Sequence, residues 1–563
     1  MDANKRLILA IAISLGVLLI FQILFPPAPP PPPPTEAEEM ARVEPTPEAE
    51  EEAEPEARSE VAAEPERTAS LETEALRLVF TNRGAGIAQA ELLGPKGRRQ
   101  GKDAAQVDLA DGLLPEDLRL FEIQTGGGLP AFGKGHACQL VGESAEEIRF
   151  RCASRGLVLS KTFRLTGERT LSLVANLRNE GPRTVEGFVD LVVPARVDPA
   201  NQGGGGCMGI GRAGPSPTQM VCRHGDDLTS HLYDPSEPVV RPPGPVSFAG
   251  IEERYFLAVA VPVMPRLASS CELSAVSNML LETHLRTETG RIPPGESIDL
   301  RWELVLGQKE IGFLKGVSQR VAAEGQIANP ELDETVDLGF WAAIARILLW
   351  FLNLFHSMIP NWGVAIILLT VLVKLLTLPL SWKSMKSMEE VRKLAPEIEK
   401  LKAKYGEDRE KLNMEMMALY QRHKVNPLGG CLPMLIQMPI WIALYTTLLS
   451  SVELYNEPFI AGWISDLTSK DPFYILPVSM GVTMFLTQKL QPMQVDATQQ
   501  KMLLYFMPIF FTLIMLNLPA GLTLYIFTNN VLSIGQQLAL RKAMGIETPR
   551  PEAKGESRKG KKS

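Results

Sequence analysis

The sequence predicts a multi-domain membrane protein: an α-helical core of six transmembrane helices with a cytoplasmic helical hairpin, plus a large external β-sandwich. Three observations carry this. An apolar run, Leu7–Phe25, follows Lys5-Arg6 and exits into Pro26-Pro27. Residues 71–306 alternate apolar and polar side chains between Gly/Pro/Asn turns. Residues 361–540 hold five further apolar segments, each separated from the next by polar or basic stretches. The 563-residue length fits several domains.

The first element, 1–25, is read as an uncleaved signal anchor. A cleaved signal peptide has an apolar core of about 7–15 residues and a small-residue exit, and this run has neither. The positive residues before it put the N-terminus in the cytoplasm. Residues 26–70 form a linker: Pro29–Pro34 favours an extended polyproline stretch. The thirteen Glu and three Arg of 36–67 repel one another and bury no core. Its reading is reach, with an acidic docking tail as the alternative.

Residues 71–330 are assigned to the external domain. Strands are expected over Leu76–Thr81, Leu157–Leu165, Leu171–Asn176, Val185–Val193, Tyr255–Val263 and Ile298–Val305, with turns such as Asn82-Arg83-Gly84 between them. Following an N-in anchor, this domain lies outside. Gly203–Gly206 is a flexible loop, since no helix or GK[ST] follows it. Cys138/Cys152 and Cys207/Cys222 have hairpin-like separations, with Cys271 and Cys431 left over. Spacing alone proves no bond, and six cysteines in so long a chain suggest no disulfide framework.

Residues 331–360 contain a greasy segment interrupted by Arg346, Asn353 and His356. If it spanned, the basic stretch after the next helix would be external, against the positive-inside rule. It is therefore laid in the outer interface as an amphipathic helix. Asn361–Trp382 then spans inward. Residues 383–424 follow, with eleven Lys/Arg and eight Asp/Glu. Their apolar positions (Met385, Met388, Val391, Leu394, Ile398, Leu401, Tyr405) recur at helical spacing. Pro396 should bend this helix, and Glu407-Asp408 open a second one, giving the hairpin. The charges are a solvated face or a docking surface. Leu428–Leu449, Pro472–Leu490, Lys501–Leu518 and Leu522–Leu540 complete the spans, the last two as a tight pair around Asn517–Gly521. The tail, 541–563, carries eight Arg/Lys against three Glu, so both termini are cytoplasmic.

Formal net charge is −8, and the basic clusters flank apolar segments, which suits anionic lipid rather than nucleic acid. No Gly-x-Ser-x-Gly, His-Glu-x-x-His or P-loop occurs, and no Cys/His cluster suggests a metal. No catalytic residue, metal or cofactor is assigned. Instead Lys374 lies inside the run Trp362–Leu380, twelve uncharged residues from its start. A charge at the centre of a membrane helix costs about 2.5–3.5 kcal/mol on insertion scales and usually faces a wet cavity. The alternative is a lysine snorkelling to the nearer interface. Thr370 shares its helix face, Gln437 stands on the next span, and Asn529, Asn530, Gln536 and Gln537 on the last. Each uncharged residue alone reads as helix–helix glue. With Lys374 they suggest a wet cavity in the membrane.

The run from Lys424 to Ile440 (KVNPLGGCLPMLIQMPI) closely resembles the YidC membrane protein insertases, relatives of the mitochondrial Oxa and chloroplast Albino proteins. Asn361-Trp362-Gly363, Tyr474–Pro477 and Met480–Met484 carry the same resemblance. It covers about 330–540. The anchor with its external domain is similar to the Gram-negative branch, through architecture and Glu253-Arg254-Tyr255-Phe256. The resemblance implies a bacterial inner-membrane protein with a periplasmic β-super-sandwich, like that of sugar mutarotases. It implies a hydrophilic groove, open to cytoplasm and lipid and closed outward, whose single cation falls on Lys374. Thr370, Gln437 and Tyr525 match groove positions, with Asn529 and Asn530 as further polar candidates. Implied partners are nascent membrane proteins, the Sec translocon, lipids and, through hairpin and tail, the ribosome. Two departures stand out: the family's usual Arg is Lys374 here, which lacks the planar fork, and a frequent Tyr-Tyr is Tyr525-Ile526.

Two rivals come from other classes. A solute transporter or channel with an accessory domain calls for repeats or broken helices, and no repeat is evident. A membrane-anchored carbohydrate enzyme calls for a His/acid pair in the sandwich, and His136 and His224 show no acidic partner in the sequence. Activity of the external domain on aldose anomers would favour it.

Overall fold

The computed structural model describes residues 65–99, 105–114, 116–197, 217–234, 237–263, 268–325, 327–406, 408–423, 425, 432–490 and 502–543. The anchor 1–25, nearly all of the linker, Cys207 with Gly203–Gly206, Cys431 and most of the tail lie outside them. Apart from Asp234 and Glu237, the described residues belong to one compact unit, Glu64–Tyr233 with Pro238–Ser563.

Period-2 sequence becomes antiparallel sheet. A nine-stranded and a five-stranded sheet pack as two layers, and a three-stranded sheet (Thr68–Leu92) shares their hydrophobic core. All six expected strands are present with small shifts at their ends, for example Thr170–Asn179 and Ser297–Gln308. Alternate residues of these strands face the core. Leu171, Leu173, Ala175 and Leu177 pack with Leu300, Trp302, Leu304 and Leu306, all essentially solvent-free. Burying each such Leu stabilises the layer by about 1.5–3 kcal/mol. The Asn82-Arg83-Gly84 turn is also present. Gly84 adopts φ +75°, and a Cβ there would lie 2.3 Å from the Glu122 carboxyl carbon, so both backbone and space demand glycine.

The cysteines pair differently from their spacing. Cys138 bonds Cys152, but Cys222 bonds Cys271, which excludes a 207/222 pair. Cys222 sits on a strand of the nine-stranded sheet and Cys271 on the five-stranded one, so this bridge staples layer to layer. Sequence spacing senses only hairpin neighbours, and the partner across the sandwich is invisible to it. The expectation of no disulfide framework is corrected to two bridges among the described residues.

Helix α1 (Ile311–Gly325) has no counterpart among the expected elements. Leu314, Val317 and Val321 lie against Val221, Phe248, Leu257 and Val305 on the outer side of the nine-stranded sheet. After it, the buried Arg223 guanidinium grips Glu331 and Glu334 around the turn Leu332–Thr335. The chain then enters α2 (Ala342–Met358), which leaves Ile347 and Trp350 exposed on the side that carries Arg346 and Asn353.

Helix α3 (Trp362–Lys393) runs 32 residues without a break, joining the expected span to the first hairpin segment. It is the one described helix long and apolar enough to cross a membrane; α2 and Ile475–Leu490 are shorter apolar helices. It ends at Leu394 because Pro396 in the next turn cannot donate to it. α4 (Ala395–Tyr405) and α5 (Arg409–Arg422) follow, with Asp408 accepting from Lys411 N as the N-cap of α5. Leu394, Ile398 and Leu419 form their small shared core.

α6 (Leu432–Ser450), α7 (Ile475–Leu490), α8 (Met507–Met515, after a π-helical turn at Met502–Phe506) and α9 (Ala520–Ala543) complete the bundle. The last two helices were expected to pair with each other. Instead α7 is the main neighbour of both. Gly481 explains this: a Cβ there would lie 2.1 Å from Thr512 Oγ1, so only glycine lets α8 approach so closely.

The layer-to-layer bridge yields a test. Cys222–Cys271 closes a 49-residue separation, so Cys222→Ala with Cys271→Ala should lower the unfolding free energy of the sandwich by about 2–5 kcal/mol. Urea titration of the purified chain with and without reductant measures it. An unchanged midpoint would remove the staple's role.

Candidate substrate groove

Two polar stripes face each other across otherwise apolar helices. On α3 the residues Thr370, Lys374, Thr377 and Ser381 recur at three- and four-residue spacing. On α9 the stripe is Tyr525, Asn529, Ser533, Gln536 and Gln537. Helical spacing places each set on one face.

The stripes meet at Lys374. Its Nζ donates to Ser533 Oγ at 2.8 Å, and Ser533 Oγ donates in turn to Asn529 O at 2.6 Å. Both side chains are half-buried. An ammonium has three N–H donors, and this bond accounts for one. Ser533 was not singled out in the sequence; its signal was the four-residue step from Asn529. One helix over, Gln437 Nε2 of α6 donates to the Tyr525 hydroxyl at 2.8 Å, tying α6 to α9. Tyr525 is buried. Thr370 is also buried, and its hydroxyl donates back to Ile366 O at 2.6 Å. Thr377 and Ser381 likewise bond their own helix.

Elsewhere on α9 and on α7, hydrogen bonding is incomplete. Asn530 Nδ2, Gln536 Nε2 and Gln537 Oε1 on α9, with Gln488 Oε1 on α7, are buried atoms without a hydrogen-bond partner. Leaving a polar group so costs about 1–3 kcal/mol each, which water or a polar guest would recover. The four atoms lie on α9 and α7, which pack against each other. Arg541 closes this end by donating to Leu490 O.

In the sandwich, His136 Nε2 meets Ala153 O and His224 Nε2 meets Thr229 Oγ1. His284 does lie near acids: Nε2 is 3.3 Å from Glu282 and Nδ1 is 3.9 Å from Asp190. Arg286 already holds Asp190 through both oxygens, at 2.9 and 2.8 Å, so this is a closed ion-pair network.

Residues 68–351 match the family described as the YidC periplasmic domain, and 354–547 match the 60Kd inner membrane protein family. The chain is 40% identical to the membrane protein insertase YidC of Anaeromyxobacter sp. (strain Fw109-5), over 98% of this chain and 99% of the relative. The chain belongs to the YidC family. A second YidC relative, from Geotalea daltonii, is 33% identical over 96% of this chain and 99% of its own length. The crystal structure of YidC from Thermotoga maritima aligns over 83% of this chain and 98% of its own, at 14% identity and a TM-score of 0.29. The YidC periplasmic match takes in the sandwich and α1 and ends inside α2; the inner-membrane match takes in α3 to α9.

The α6–α9 tie is testable by a double-mutant cycle. Gln437→Leu and Tyr525→Phe should each destabilise the detergent-solubilised chain, with a coupling of about 0.6–1.7 kcal/mol. Additive effects would show that the bond carries no stability.

Proposed function

We propose that this chain inserts membrane proteins by way of a wet groove between α3, α6, α7 and α9, with Lys374 as its cation. The observation that carries the reading is the Lys374–Ser533 contact at the meeting of two polar stripes, continued by the unpartnered Asn530, Gln536, Gln537 and Gln488. An apolar span enters lipid downhill, and the barrier is its polar flank, whose groups cost several kcal/mol each in hydrocarbon. A cation with donors to spare, beside buried polar atoms, holds that flank part-way across. No nucleotide or cofactor enters this account.

In the same reading the chain spans the inner membrane six times, with both termini cytoplasmic and the sandwich in the periplasm. The domain limits are those inferred from sequence, including the interfacial helix within 331–360. α4 and α5, on the cytoplasmic side, form the hairpin; with the basic tail they offer a surface to ribosomes and the Sec translocon. Thr370 shapes the groove wall rather than donating into it, because its hydroxyl is occupied. Tyr525 and Gln437 set the spacing of α6 and α9, and Asn529 and Asn530 extend the polar wall.

Lys374→Ala should slow insertion of a Sec-independent substrate by about 10- to 100-fold, the loss expected for about 1.5–3 kcal/mol of charged hydrogen bonding. Lys374→Arg should restore most of it, because charge is the requirement. Insertion is read by protease protection of a radiolabelled substrate at matched protein levels. Normal insertion by Lys374→Ala would remove the assigned role.

A further inference from the structure

Glu253-Arg254-Tyr255-Phe256 was noted in the sequence, and the groove leaves it without a task. The structure puts it at a joint. Val452 and Tyr455, in the segment after α6, are buried and belong to the hydrophobic core of the sandwich rather than to that of the bundle. The Tyr455 ring lies 4.5 Å from that of Tyr255 and meets Phe256 edge-on at 5.5 Å. Its hydroxyl donates to Arg98 O at 2.9 Å. Asn456 Nδ2 donates to the same carbonyl at 2.7 Å, and Lys96 Nζ to Glu453 O at 3.2 Å.

The receiving side is held by buried hydrogen bonds. Lys309 Nζ, buried, donates to Glu252 Oε2 at 2.9 Å and to Glu253 O at 3.2 Å. Lys309 N donates to Tyr255 O, and Glu253 N to Phe256 O, both at 2.8 Å. These bonds hold the backbone at Tyr255 beneath the Tyr455 ring.

The same segment continues as a plate, 451–471, that ties the near ends of three helices. Asn361 Nδ2, at the start of α3, donates to Phe459 O at 3.0 Å, and the Phe459 ring sits where a Cβ of Gly363 would be. Gly521 N and Ala520 N, the first amides of α9, donate to Leu467 O and Ser469 O at 2.8 and 2.7 Å. Asp471 Oδ2 accepts from Leu476 N at the start of α7 at 2.7 Å. Asp466 braces the plate from within, accepting from Asn456 N, Thr468 and Ser469. The two groove stripes begin one to three turns beyond these ties, on α3 and α9.

We propose that the sandwich is a cradle for this plate, and that Tyr455 with residues 253–256 position the ends of α3, α7 and α9, keeping the groove shut on the sandwich side. This rests on the groove reading above. The residues touch no substrate; they act through the plate.

The test reads closure without any substrate. Thr523, fully buried at that end of α9, is changed to Cys in the full-length chain, with Cys207→Ser and Cys431→Ser. Membrane-impermeant maleimide is added from the sandwich side in cells. Labelling should be at least about tenfold faster in Tyr455→Ala and in Tyr255→Ala, the local opening expected when a packed ring is lost, and less so in Tyr455→Phe. Lys374→Ala should label at the parental rate. Should the ring deletions fail to accumulate, Lys96→Ala with Asn456→Ala cuts the polar ties and leaves the rings, and labelling should rise about threefold. Parental labelling in the accumulating variants overturns the proposal. Normal insertion by Lys374→Ala overturns the groove reading alone, because labelling does not depend on it.

Discussion

A helix begins with amides that its own turns cannot satisfy, and in hydrocarbon or a dry interface no water supplies the partner. In this chain the carbonyls of Leu467 and Ser469 take the first amides of α9, the Asp471 carboxylate takes that of Leu476, and Asn361 is tied to Phe459 O. One short segment therefore caps α7 and α9 and anchors α3. Everything nearer the groove inherits its register from these ends: a helix fixed at its first turn can move only by bending or pivoting. The spacing between Lys374 and Ser533 is set partly by that anchorage.

The polar stripe of α9 and the rest of the bundle follow opposite rules. Where backbones must approach, side chains shrink: Gly481 of α7 under Thr512 of α8, and Gly363 of α3 under Phe459 of the plate. Where α9 passes Lys374, side chains are polar, and several of their atoms lack partners. A bundle selected for stability alone would fill those positions with Leu or Ala, each unmatched amide costing about 1–3 kcal/mol. Within the bundle the penalty falls mainly on α9, with Gln488 of α7 facing it and Ser451 at the end of α6.

Much of the sandwich was legible because alternation is a local property: Leu76–Thr81 and its companions read directly from period 2 and their turns. Pro396 and Asp408 marked α4 and α5 for the same reason, acting within one helical turn. The misses are non-local. α1 carries a modest apolar stripe whose partners, Val221 and Phe248, lie some 60–100 residues earlier. Cys271 sits across two layers from Cys222. Ser533 looked ordinary until Lys374 was placed against it, 159 residues away in the chain. Among the candidate residues, Lys374 and Gln437 stand out by polarity in an apolar setting, whereas Tyr525 is marked only by the family resemblance. Thr370 was legible too, but its hydroxyl's return to Ile366 O was not, since that choice belongs to the rotamer.

The bond from Tyr455 to Arg98 spans 357 residues of chain. The last strand of the sandwich ends at Gln308, so at about 5–20 residues per second of synthesis the sandwich is complete as polypeptide roughly 7–30 s before the ring that finishes its core is made. Over that interval Tyr255 and Phe256 line an open notch, held ready by Lys309. The joint between the two halves is thus a late event in the life of the molecule, and a nascent chain spends its youth with the notch unfilled.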